Sequence, residues 1–202
     1  MPQGAHPNPW LSMWTQPKAT IRGIVQTKPR YGVFWLSTIF VLQNIFYYLN
    51  FWSMGFDSRL YSILLPSIAL SPLLGFVWVY FYGWILSFTG RWLGGTAPAL
   101  YVRSALAWSR LPMFICLGMW FFLFVSNHDY AFIQYAGGPS AFFVNFITLI
   151  VEIWSFVLLF QSIREIQHFS VGRSIANVFI AGLFYSVFTF LFILTVRFAY
   201  LM

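Results

Sequence analysis

The chain alternates long apolar runs with short polar segments that carry most of its arginines. Five runs approach or exceed the roughly 20 apolar residues that a helix needs to cross a bilayer; they cover about 33–51, 60–86, 105–125, 142–163 and 175–200. The runs are continuously apolar, whereas the strands of a transmembrane barrel alternate in polarity. Lipid offers backbone groups no hydrogen-bond partners, so each run must close its own bonds as a helix. The pattern predicts an all-α, polytopic membrane protein built as a five-transmembrane-helix bundle.

Prolines inside these runs predict irregular helices. Pro66 and Pro72 lie in the second run and Pro112 in the third. Each removes a backbone donor and clashes with the preceding turn. We therefore expect a bend in the second helix and another near Pro112.

A short amphipathic segment precedes the first run. Pro17 suits the first turn of a helix, and Ile21, Ile24 and Val25 then share one side. This side can lie in the headgroup layer as an interfacial helix, or it can pack on the ends of the bundle. Both placements stay open, and residues 1–30 are interpreted as a cytoplasmic segment preceding a membrane domain at 31–202.

The segment 94–110 predicts a second short interfacial helix. Gly94 and Gly95 end the preceding helix, and Thr96 can cap a new one. Arg103 and Arg110 are seven residues apart and share a face of it. We expect this helix to run into the third span.

Composition supports the membrane assignment. The chain is 60% hydrophobic and 7% charged, whereas a soluble domain carries about 25% charged residues. The net charge of +7 comes without a nucleic-acid-binding motif, so anionic lipid headgroups are the expected counter-charge. Nucleic acid is excluded as a partner.

The basic residues predict the orientation, because cytoplasmic loops carry an excess of Lys and Arg. With the N-terminus inside, the opposite side holds only Arg59 and Arg197, beside the acids Asp57 and Asp129. The N-terminus is therefore predicted to be cytoplasmic and the C-terminus extracytoplasmic. The basic residues on the inner side are Lys18, Arg22, Lys28, Arg30, Arg91, Arg103, Arg110, Arg164 and Arg173.

Glu152 is the most informative polar position, because it falls near the middle of the fourth run. An acid at helix centre costs about 2.5–3.5 kcal/mol on translocon scales, so its side chain should face the bundle or a wet cavity. Asn145 lies seven residues earlier on the same face, and Arg110 is the expected partner by charge. These three residues form a candidate intramembrane polar site, with a structural ion pair or hydrogen bond as the alternative. The other polar residues in the spans, such as Asn177, are expected to join helices.

Several residues near the inner side are candidate contacts for lipid headgroups or a partner protein. Tryptophan is at home at headgroup depth. His168 lies four residues after Arg164, so both can face the headgroups; a pH-sensing role for His168 is the alternative. The candidates are Trp10, Trp14, Lys18, Arg22, Arg103, Arg164, His168 and Arg173.

No pattern in the chain predicts catalysis, a cofactor or a metal site. Cys116 is the only cysteine, so an intramolecular disulfide is impossible. No two histidines have metal-ligand spacing, and no phosphate-binding loop or Ser-His-Asp arrangement occurs. The chain is not expected to be an enzyme.

Three stretches carry a family resemblance: WTQPKATIR, GGTAPALYVRSALAWSRLPMF and VEIWSFVLLFQSIREIQHFSVGRSIANV. Together with five spans they resemble the Yip (Ypt-interacting protein) domain family, particularly its small bacterial members. The resemblance implies a five-helix bundle with a cytosolic N-terminus. The small-GTPase and vesicle-traffic role of eukaryotic members is not carried over, because their acidic cytosolic region and Asp-Leu-Tyr-Gly-Pro motif are missing.

Two functions follow from these features. The first is a non-enzymatic membrane scaffold or adaptor that binds another membrane protein, a second copy or the bilayer itself. The alternative is a transporter, channel or lipid scramblase with a polar path around Glu152. A bacterial inner membrane is the expected location.

Overall fold

The computed structural model describes residues 8–56, 59–126, 130–134 and 138–201, and within these ranges it contains helices and no strands. Asp57, His128 and Asp129 lie outside the described residues. The helices are α1 (Pro9–Ser12), α2 (Pro17–Thr27), α3 (Val33–Phe51), a 3-10 turn (Met54–Phe56), α4 (Leu60–Trp92), α5 (Ala99–Trp108), α6 (Met113–Ser126), α7 (Gly138–Gln167) and α8 (Val171–Leu201).

The predicted helical bundle is confirmed. Four helices, α3, α4, α7 and α8, are long and apolar enough to cross a membrane. Helices α5 and α6 meet at an angle of 40°, and they supply a fifth span if the bent pair counts as one. The bend predicted near Pro112 is present, because residues 109–112 form turns between the two helices.

Helix α4 continues unbroken through both of its prolines. Pro72 leaves the carbonyl of Ile68 without its usual backbone donor. The hydroxyl of Ser71 donates to that carbonyl at 3.0 Å. The neighbouring side chain thus supplies a donor that proline lacks, and the helix is retained.

Close approach of α3 and α4 depends on Gly75. A Cβ atom placed on Gly75 would lie 2.8 Å from the backbone nitrogen of Thr38 and 2.9 Å from the carbonyl carbon of Ser37. Only glycine lets two helix backbones come this near. The pair α3 and α4 therefore forms a tight unit; α5 packs on both helices, α6 on α3 and α8 on α4.

Helix α5 is packed inside the bundle. Val102, Ala105, Leu106 and Ala107 are fully buried, and the helix contacts α4 and α7 on either side as well as α3. The surroundings of α5 are therefore largely protein, which differs from the headgroup environment expected for it. Apolar residues look alike in sequence whether they face lipid or a neighbouring helix.

Helix α2 packs on the bundle with its apolar side. Ile21, Ile24 and Val25 are buried, and α2 contacts α5 and α7. The two placements considered from the sequence are compatible: the structure shows the packing on the bundle, and the contact with the headgroup layer stays a prediction. The end that carries α2, the 93–98 connection and the 168–170 connection is called the basic end below.

The other end of the bundle is covered by residues 130–134. The side-chain amide of Asn50 donates to the carbonyl of Ala131 at 3.1 Å, and the backbone nitrogen of Gln134 donates to the hydroxyl of Ser53 at 3.1 Å. Phe132 inserts into an aromatic cluster with Phe46 and Trp120. These contacts hold the segment against the far end of α3.

Candidate functional site

A polar cleft of about 220 Å³ lies between the far end of α3 and the first half of α7. Its lining is mixed, with six polar side chains and two apolar ones. It reaches from the 130–134 segment to the middle of α7. The lining residues are Tyr47, Asn50, Phe51, Gln134, Asn145, Thr148, Leu149 and Glu152.

Glu152 stands at the inner limit of this cleft, and its side chain is exposed at the surface of the chain. Among the described residues there is one salt bridge, and it joins Arg22 to Glu165. Glu152 is thus a mid-helix carboxylate without an ion-pair partner in the described part of the chain.

The structure places Asn145 in the same cleft as Glu152. Thr148 lies between them on the same helical face, since residues three, four and seven apart are neighbours on a helix. The seven-residue spacing of Asn145 and Glu152 along the helix was enough to predict that they lie on one face. Asn50 and Gln134 were missed, because they reach the cleft only through the folding of the 130–134 segment onto α3.

Arg110 does not line the cleft. Its guanidinium carbon lies 4.6 Å from the centre of the Phe40 ring and 5.8 Å from that of Trp78. Its Nε atom is buried without a hydrogen-bond partner among the described residues. The expected ion pair with Glu152 is not formed, because the guanidinium packs against the faces of the Phe40 and Trp78 rings. The charge of Glu152 still acts on Arg110 through space.

The rings that hold Arg110 also border a large groove. A cavity of about 550 Å³ opens between α3, α4 and α8. Its walls are mainly aromatic and aliphatic, with Asn44, Tyr48, Tyr185 and Thr189 as polar members. The chemistry of this surface suits hydrocarbon.

A buried polar cluster joins three helices at the basic end. Thr89 of α4 donates to the side-chain oxygen of Asn177 of α8 at 2.6 Å. The side-chain oxygen of Gln167 in α7 accepts from the backbone nitrogen of Ala97 at 3.0 Å. Asn177 was expected to join helices, and its hydrogen bond with Thr89 confirms this. The role of Gln167 was not predicted from the sequence.

The two candidate tryptophans pack on the protein. The Trp10 ring meets that of Trp108 edge-on at 5.1 Å, and its indole nitrogen donates to the Tyr31 hydroxyl at 3.1 Å. The indole nitrogen of Trp14 donates to the carbonyl of Trp10 at 3.0 Å. Both side chains are half-buried, so they can still reach a headgroup layer with their free edges.

The basic candidates lie along the basic end. Lys18 and Arg164 are half-exposed, while Arg173 is exposed. Arg22 is exposed too, and it pairs with Glu165. Arg103 is half-buried with its guanidinium over the Tyr80 ring.

His168 ends helix α7. It is exposed and has a positive φ of 53°, a conformation in which the backbone nitrogen of Phe169 returns to the carbonyl of Arg164 at 3.1 Å. Residues of this conformation commonly close helices. His168 therefore has a local structural role beside any contact with headgroups.

In the described ranges, no cluster of three or more His, Cys, Asp or Glu side chains could hold a metal ion. Cys116 is a buried free thiol. Its neighbours in the core are Met113 and Val151, which fits a small apolar packing residue.

Comparisons with known proteins agree with this architecture. No curated protein and no solved structure matched the chain. The family model for the Yip1 domain matches residues 11–194. That match includes α2 and all the candidate spans. The chain is an integral membrane protein that belongs to the Yip1 domain family.

Proposed function

We propose that the protein is a non-enzymatic membrane scaffold that holds a second membrane component at the Glu152 cleft. The observation that carries this proposal is an exposed mid-helix carboxylate without an ion pair among the described residues. Such a group costs about 2.5–3.5 kcal/mol at helix centre on translocon scales. A partner helix that brings a donor to Glu152 offsets this cost, so association is favoured.

The neighbouring side chains suit a partner helix. Asn145, Thr148 and Glu152 follow one face of α7 over about 10 Å, at 1.5 Å per residue. Asn145 and Glu152 are exposed and offer an amide and a carboxylate, whereas Thr148 is buried between them. Polar groups of this kind hydrogen-bond across membrane helices. The occupant is another membrane protein or a second copy of this chain.

A binding role fits this cleft better than catalysis. Its polar groups are amides, hydroxyls and one carboxylate. Glycoside hydrolysis or acid–base catalysis typically uses a second carboxylate or a histidine within reach, and neither is among the lining residues in the described part of the chain. Glu152 therefore acts as a hydrogen-bonding or ion-pairing group.

The location is proposed from charge. The basic end carries Lys18, Arg22 and Arg173 among others, and cytoplasmic segments are rich in such residues. We place this end in the cytoplasm of a bacterial inner membrane, facing anionic headgroups. The C-terminus then lies on the extracytoplasmic side.

The test compares two neighbouring substitutions in α7. Glu152→Gln removes the charge, whereas Ile153→Ala changes an exposed apolar residue outside the cleft. Intramembrane hydrogen bonds average about 0.6 kcal/mol and reach about 1.7. Glu152→Gln should therefore lower recovery of the partner, or energy transfer between labelled copies in vesicles, by roughly three- to twentyfold. Equal recovery from both variants contradicts the proposal.

Transport is the second candidate, favoured by one observation. The cleft leads from Gln134 at the end of the bundle to Glu152 at mid-helix, which is half of a polar path. Reconstituted protein tests this with ion and lipid flux into vesicles. Flux that is present in the wild type and lost in Glu152→Gln would favour transport over the scaffold. Flux that is unchanged rejects a path through Glu152.

A further inference from the structure

A third cavity, at the basic end, brings two arginines together. It has a volume of about 180 Å³ and lies between α3, α4 and α5. Arg30, which precedes α3, and Arg103 of α5 both line it. No acidic residue is among its lining residues, so the two positive charges are not neutralised there.

Arg103 is held in place by three contacts. Its Nε donates to the carbonyl of Ala99 at 3.2 Å, and its guanidinium carbon lies 4.2 Å from the centre of the Tyr80 ring. Its aliphatic stem rests on Gly83, where an added Cβ would come within 2.5 Å of the Arg103 Cγ. None of these contacts uses the two terminal nitrogens, which remain available to an acceptor.

Apart from Ser37 and Tyr80, the rest of the cavity is apolar, and its outer wall is exposed at the surface of the chain. Phe34 and Phe76 line it, and both side chains are exposed. Phe76 lies one helical turn before Tyr80 on α4, a helix that runs toward the basic end. The apolar wall therefore extends from the arginines toward the middle of the bundle. An acyl chain can follow this wall while its headgroup stays at the arginines.

We propose that this cavity is a binding site for one anionic glycerophospholipid. Guanidinium groups bind phosphate through short charge-assisted hydrogen bonds, and Arg suits planar two-point contacts better than Lys. The phosphate lies between Arg30 and Arg103, and one acyl chain lies along Phe34 and Phe76. The two guanidinium groups repel the quaternary ammonium of a choline headgroup, so the site prefers phosphatidylglycerol to phosphatidylcholine.

The test is lipid retention measured by native mass spectrometry. Purified full-length protein is stripped of lipid and offered equimolar phosphatidylglycerol and phosphatidylcholine. We expect one strongly retained phosphatidylglycerol per chain. Arg103→Gln should weaken its retention by about tenfold, because it removes charge-assisted hydrogen bonds. Gly83→Ala should also weaken it, by displacing the stem of Arg103.

Two further variants keep the test decisive. Arg30→Gln alters an exposed side chain in a turn, so it should fold normally and still reduce retention several-fold. Arg91→Gln is the matched control, because Arg91 is exposed at the basic end and lies outside the cavity. It should retain lipid as the wild type does. Equal losses in Arg91→Gln and Arg30→Gln would indicate general attraction to anionic surfaces and overturn the proposal.

A competition experiment separates a lipid from a free anion. Inorganic phosphate offers the same charges without an acyl chain. Millimolar phosphate should leave the lipid bound, because the apolar wall contributes to affinity. Full displacement would show a headgroup-only anion site instead. The outcome is independent of Glu152, since the proposed scaffold contact lies on α7 and this cavity involves α3, α4 and α5.

Discussion

Arg22 and Glu165 are 143 residues apart in the chain and meet at the basic end, where the Arg22 Nε donates to the Glu165 carboxylate at 2.7 Å. Arg22 is 63% exposed in this pair. Exposed ion pairs contribute about 0–1 kcal/mol. The salt bridge therefore orients α2, while buried side chains such as Ile21 hold it on the bundle.

The first prediction compares these two contributions to the docking of α2. Ile21→Ala should destabilise the docked state by about 2–5 kcal/mol, because it leaves a cavity in a fully buried site. Arg22→Gln should cost no more than about 1 kcal/mol. Limited proteolysis between α2 and α3 reports the undocked population. Faster cleavage in Arg22→Gln than in Ile21→Ala would reverse this order.

The second prediction concerns the contact between α3 and α4. Gly75→Ala should destabilise the protein by about 1–3 kcal/mol, because the added methyl meets the backbone of α3. Gly118→Ala is the control, since a Cβ there meets nothing within 4 Å. The control should change stability by no more than about 1 kcal/mol. Thermal unfolding in detergent, followed by circular dichroism, compares the two variants, and equal effects would contradict the packing argument.

The third prediction concerns the hydrogen bond from Ala97 to Gln167. Gln167→Leu should cost about 1–3 kcal/mol, because the buried Ala97 nitrogen loses its acceptor. Gln161→Leu makes the same change in the same helix, at a half-buried side chain without a hydrogen bond among the described residues. It should be nearly neutral. Hydrogen exchange at Ala97 should rise in the first variant and stay unchanged in the second.

The fourth prediction concerns Arg110, a half-buried residue whose Nε atom is buried without a hydrogen-bond partner among the described residues. A desolvated ion costs several kcal/mol, whereas its contacts with aromatic faces return about 0.5–2 kcal/mol. Arg110→Met should therefore raise stability, with a midpoint increase of about 2–4 °C for each kcal/mol gained in a chain of this length. Arg110→Lys keeps the charge but loses the planar contact, so it should not stabilise. A lower melting temperature for Arg110→Met would show that Arg110 stabilises the protein and contradict the prediction.

Much of the fold follows from the sequence, because spans are set by apolar length. The first predicted run, 33–51, coincides with α3. Helix α4 extends past its predicted end at 86 to Trp92, because Thr89 and Gly90 are buried against protein. The burial of α5 could not be predicted, since apolar character does not distinguish a lipid contact from a helix contact.

The candidate site was only partly accessible to sequence reasoning. Glu152 and Asn145 are related by helical spacing, which is a local property of α7. The aromatic partners of Arg110 come from α3 and α4. They could not be predicted, because charge was the only guide in the sequence and it indicated Glu152 as the partner. The cavity shared by Arg30 and Arg103 depends on how three helices meet, which no local pattern encodes.

The docking of α2 has a consequence for biosynthesis. The surface on which α2 packs is formed by α5 and α7, and α7 begins only at Gly138. During translation α2 therefore emerges well before the surface that buries Ile21 exists. Until then its apolar side must rest in the headgroup layer, where amphipathic helices bind. Docking of α2 is thus a transfer of this helix from lipid to protein, and it becomes possible only after α7 has been synthesised.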